Sequence, residues 1–196
     1  MKLHVTLWLP AVVAAGIVLA VRLLLFPADH VPAEFSEGRV RGAALAENIV
    51  VLSRKTLGRL DAIAEYDRNN RTAEALLLIS QEVLESGTMR EEAARLASQL
   101  ERMARVLPEI KPERARQLAT EAVSSEVALV SRLVTHNALL TELFDILKMK
   151  LSDRSANVDG RVNELINNIN SEAQAINQFN KRFIEALEEF DMIVER

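Results

Sequence analysis

The chain of 196 residues carries 24 basic and 28 acidic side chains, a net charge of −4, and no cysteine. A disulfide framework, a thiolate metal site and a cysteine nucleophile are therefore excluded. The mildly acidic, evenly mixed charge also lacks the concentrated basic footprint of a nucleic-acid binder, so no nucleic acid is expected among its partners. Hydrophobic residues make up 49% of the chain but aromatics only 4%, with six glycines and five prolines. A composition rich in Ala, Leu, Glu and Arg belongs to long helices. No segment alternates with the period of two that marks a strand. The fold class predicted is all-α.

In chain order, the first element is Leu3–Phe26, LHVTLWLPAVVAAGIVLAVRLLLF, which holds one internal charge, Arg22. About 20 mostly apolar residues suffice for a helix to cross the hydrocarbon layer, and Arg22 is near enough to the end to snorkel toward the headgroups. The run is longer than the apolar core of a cleavable signal peptide, and the one candidate cleavage site, Val31-Pro32-Ala33, lies well beyond it. Residues 1–26 are accordingly predicted to be an uncleaved, single-pass signal-anchor that contacts the lipid bilayer through residues 3–26. Lys2 and the amino terminus favour a cytoplasmic start, against the pull of Arg22, Arg39 and Arg41. With a very short tail ahead of a large domain, the bundle is expected outside the cytoplasm, at the plasma (inner) membrane.

Residues 27–37 are expected to be a linker and 38–196 a bundle domain. Turn-rich breaks recur near Asp67–Asn70, Pro108–Pro112 and Ser152–Gly160, leaving four long arms. Apolar residues recur on one face of each at helical spacing: Leu45, Ile49, Leu52, Leu60 and Ile63 in the first, and Ala93, Leu96, Leu100, Met103, Leu107 and Ile110 in the second. The third shows Leu129, Leu133, His136, Leu140, Leu143 and Leu147. Ile166, Ile169, Ala173, Ile176, Asn180, Phe183, Leu187, Phe190 and Val194 run along the fourth. This three-four spacing predicts an elongated antiparallel bundle with coiled-coil-like packing. Gly87, followed by the capping-box pair Thr88 and Glu91, predicts a break in the second arm, read as a bend.

Two seam positions are polar. His136 and Asn180 sit among apolar neighbours, where a lone polar residue fixes register and partner number. Beside the fourth seam, Asn163, Asn167, Asn170, Gln174 and Asn177 form a strip of five uncharged amides. A solvated flank is the ordinary explanation for such a strip. Yet flanks usually use Glu, Lys and Arg, which favour the helix more than Asn does, so the strip is a candidate interaction face.

Chemistry is sparse. The histidines are His4, His30 and His136, none preceded by glutamate at the spacing of a di-iron site. Phosphate-binding, dinucleotide and nucleophile-elbow motifs are absent, and neither a catalytic site nor a metal or other cofactor is expected. The function predicted is a non-enzymatic, membrane-anchored interaction or scaffold module with a protein partner or a second copy of itself. The alternative is a membrane-tethered sensory or small-ligand-binding bundle, since an anchor followed by a four-helix bundle resembles in layout the sensing domains of bacterial chemoreceptors.

Overall fold

The computed structural model describes residues 31–195. Four long helices account for almost all of them: α1 Ala33–Arg68, α2 Thr72–Val106, α3 Glu113–Ser152 and α4 Asp159–Val194, with a short 3-10 helix Leu107–Glu109 after α2. No strand occurs among the described residues. The apolar segment Leu3–Phe26 lies outside them, as does the start of the expected linker. No described helix is long and apolar enough to cross a membrane.

Each helix ends where the backbone demands it. Asn70 adopts φ 58°, the left-handed conformation that asparagine tolerates better than most residues, and the chain turns from α1 into α2 there. Pro108 and Pro112 lack the amide hydrogens that would continue α2, and Pro112 leads directly into α3. Asp153 accepts from the backbone and hydroxyl of Ser155, turning the chain toward α4.

Three close interfaces follow from these turns, α1 with α2, α2 with α3, and α3 with α4; α1 and α4 are not among the closely packed pairs. Across α1 and α2, Lys55 and Arg59 reach Glu85 at 2.6 and 2.9 Å, and Arg59 also pairs with the buried Glu82. At the end of the bundle where residue 31 enters, Phe35 and Phe190 pack at a tilt of 48° with ring centroids 5.5 Å apart. Beside them Arg39 grips Asp191 with two hydrogen bonds of 2.7 and 2.9 Å. Both partners are nearly buried there, and the fork geometry is the strong form of such a pair. We call this end proximal and the opposite end distal.

Two boundaries differ from the sequence reading. α1 begins at Ala33 rather than 38, because Phe35 and Gly38 are both buried against the bundle and hold the first turns in place. α2 does not break at Gly87 but runs unbroken from Thr72 to Val106. The physical reason is register: buried Ala75, Ile79, Glu82, Met89, Ala93, Leu96, Leu100 and Met103 keep one three-four phase, with half-buried Ser86 in step between them. Packing on both sides outweighs a local cap signal, since most helical stability in proteins comes from the packed face.

Candidate functional site

Two hollows are walled by residues of α1, α3 and α4. One of the two, about 220 Å³, lies at the distal end. Leu60 and Ile63 of α1, Leu143 and Leu147 of α3, and Val162 and Ile166 of α4 form its walls. Its mouth is polar. Lys150 pairs with Asp159 across the α3–α4 turn. Arg154, within that turn, lies 3.0 Å from Asp67 and donates to the Thr72 hydroxyl at 3.1 Å. The α3–α4 connection is thereby strapped over the hollow. Asp67 Oδ1 is buried and receives no aligned hydrogen bond from the described residues, so Arg154 supplies it with charge but not with a directed donor.

The second hollow, about 40 Å³, is nearer the proximal end. Small residues of α1 (Gly38, Gly42, Ala43 and Ala46) open it, and Glu126, Leu129, Asn180 and Phe183 line the other side. It is large enough for a water molecule and little more. Glu126 is 5% exposed and no hydrogen bond or ion pair reaches it from the described residues. Loss of hydration pushes its carboxyl up to about 7, because burial disfavours the charged form. Arg39 also lines this hollow but is engaged with Asp191.

The residues singled out from the sequence are dispersed. Asn163, Asn167 and Gln174 are exposed on α4, while Asn170 and Asn177 are half-buried. None of the five side chains hydrogen-bonds another described residue, and Asn170 Oδ1 is buried without a partner. Asn180 alone reaches a cavity, the small one beside Glu126. His136 is half-buried at the edge of its seam, and burial lowers its imidazole to about 4.

The buried polar residue of α3 in this region is instead its neighbour Asn137, whose Nδ2 donates to the Ser86 carbonyl at 3.2 Å. Sequence reasoning missed Asn137, Glu126 and the buried Glu82. Glu126 and Asn137 do share a signal: with Leu129, Val130, Leu133 and Leu140 they belong to a stripe wider than one seam, which a helix packed on two sides requires.

No group of three or more His, Cys, Asp or Glu side chains among the described residues is placed to hold a metal ion. The arrangement offers hydrophobic surface, small hollows and paired charges, which suit binding and association. No family model matches the chain, and no curated protein or solved structure matches it either.

Proposed function

We propose that the protein is a non-enzymatic, membrane-tethered interaction module that associates with a second copy of itself in the same bilayer. Residues 3–26 would be the anchor and the bundle would stand outside the cytoplasm. The observation that carries this reading is the outward face of α2. Ala73, Leu77, Ser80, Leu84 and Gly87 repeat the three-four spacing of the core on the opposite side of the helix, and all five are exposed. Leu84 is 81% exposed and Leu77 62%. The acidic residues of this span are turned to partners: Glu74 to Arg71, Glu82 to Arg59, and Glu85 to Arg59 and Lys55.

Two copies anchored side by side would align their α2 helices in parallel, each seam position facing its own counterpart. Any charge there would meet itself, and a run of about 21 Å without one is what such pairing requires. The small Ala73, Ser80 and Gly87 let backbones approach, and the two leucines supply apolar area. So short a seam falls below the area of a stable dimer in free solution, but confinement to a membrane raises the effective concentration.

A cysteine-free chain makes the test direct. The full-length Leu84→Cys variant in native membranes should form disulfide-linked dimers under mild oxidation, while Gln178→Cys on the exposed face of α4 should not. Equal cross-linking at both sites would mean random collision and would sink the reading. The alternative, a ligand-binding bundle, is favoured by the distal hollow.

A further inference from the structure

Close-packed interiors leave few voids larger than a water molecule, and an apolar cavity of about 150 Å³ is enough to bind benzene. The distal hollow exceeds that at about 220 Å³, which on the same scale is room for about nine carbon atoms. Its walls are aliphatic, yet its rim offers a carboxylate oxygen, Asp67 Oδ1, that is buried and has no aligned donor. Arg154 gives that oxygen charge from 3.0 Å but no directed hydrogen bond, and a buried acceptor without one is rare. Lys150 and Arg154 are both committed to carboxylates of the rim, so the open valence of the site is for a donor and not for an anion.

We propose that the distal cavity is a binding site for a small molecule with an aliphatic body and a hydrogen-bond-donating head, an amine or an alcohol. The body lies among Leu60, Ile63, Leu147 and Ile166, and the head donates to Asp67 Oδ1 at the mouth. This site is remote in kind from the outer face of α2 and stands whether or not the copies associate.

The test uses the full-length chain in lipid nanodiscs with isoleucine methyl groups labelled for NMR, so that partitioning of the probe into lipid is not mistaken for binding. Titration with 1-octylamine should produce saturable shifts at Ile63 and Ile166 and leave Ile110, at the proximal end, unmoved. Across the straight-chain amines from butyl to decyl, affinity should rise about four-fold per methylene until the cavity is full, then level off. Octanoate should bind at least tenfold more weakly than octylamine, and Asp67→Asn should narrow that gap. Leu147→Phe, which fills the void, should abolish the shifts while the helix signal in circular dichroism is retained. Absence of saturation, shifts of equal size at Ile110, or octanoate binding as tightly as octylamine would each overturn the proposal.

Discussion

Glu126 and His136 stand ten residues apart on α3, about 15 Å along the helix, and burial acts on them with opposite sign. The Glu126 carboxyl is raised from 4.5 to about 7, so between those values the folded state holds a proton that the unfolded state has released. Its contribution is therefore present below about pH 4.5 and is lost as the pH rises through 7. The His136 imidazole is lowered from 6.5 to about 4. The folded state then lacks a proton that the unfolded state binds, and stability is lost as the pH falls from 6.5 toward 4. Each leg is worth up to about 3 kcal/mol, and between pH 4.5 and 6.5 they oppose one another. Denaturant unfolding from pH 4 to 8 should expose the balance. Relative to the parent chain, Glu126→Gln should gain stability near pH 8, and its profile should fall with acid. His136→Gln should leave a profile that falls as the pH rises. Three parallel curves would show that neither group is desolvated as described.

At the scale of the helix, two glycines make the contrast between packing and propensity measurable. A Cβ built on Gly38 would lie 2.3 Å from Met103 Cγ, whereas one on Gly87 meets nothing within 4 Å. Gly38→Ala should therefore destabilise by about 1–2 kcal/mol, overpacking outweighing the gain in helix propensity. Gly87→Ala should stabilise by about 0.5–1 kcal/mol. Thermal melts of the two variants check this, and melting shifts of the same sign would refute it. The same glycine explains one limit of the sequence. The four helices and their turns were legible because heptad spacing and proline or asparagine punctuation act locally. Gly87 with its capping box is also a local signal, but it was overruled by long-range packing that holds the phase from Ala75 to Met103. Likewise the width of the α3 stripe depends on its having neighbours on both sides, so Asn137 could not be preferred over His136 from one helix alone. The distal cavity was not legible at all. It is enclosed by α1, α3, α4 and the turn between the last two, and no pattern within a single helix encodes how the others are placed around it.

Taken as a whole, the bundle is a chain of three helical hairpins in sequence order, closed by a short return of α4 to α1. α3, between two close neighbours, buries more than twice as many residues as α1. Phe35 on Phe190 and Arg39 on Asp191 belong to the closing contact. That order has a consequence in time. Neighbour-to-neighbour contacts have low sequence separation and form fast, so the hairpins can assemble as the chain emerges, each helix meeting the one made just before it. The Arg39–Asp191 clasp joins residues 152 apart in the chain and is expected to form last. A contact formed after the rate-limiting step governs how long the native state lasts and not how quickly it is reached. Asp191→Asn should accordingly speed unfolding roughly tenfold while leaving the folding rate within about twofold, as followed by stopped-flow circular dichroism. A matching slowdown in folding would instead place the clasp in the nucleus. With the clasp late, the bundle is quick to build, and its lifetime is set by the one seam its hairpins do not make.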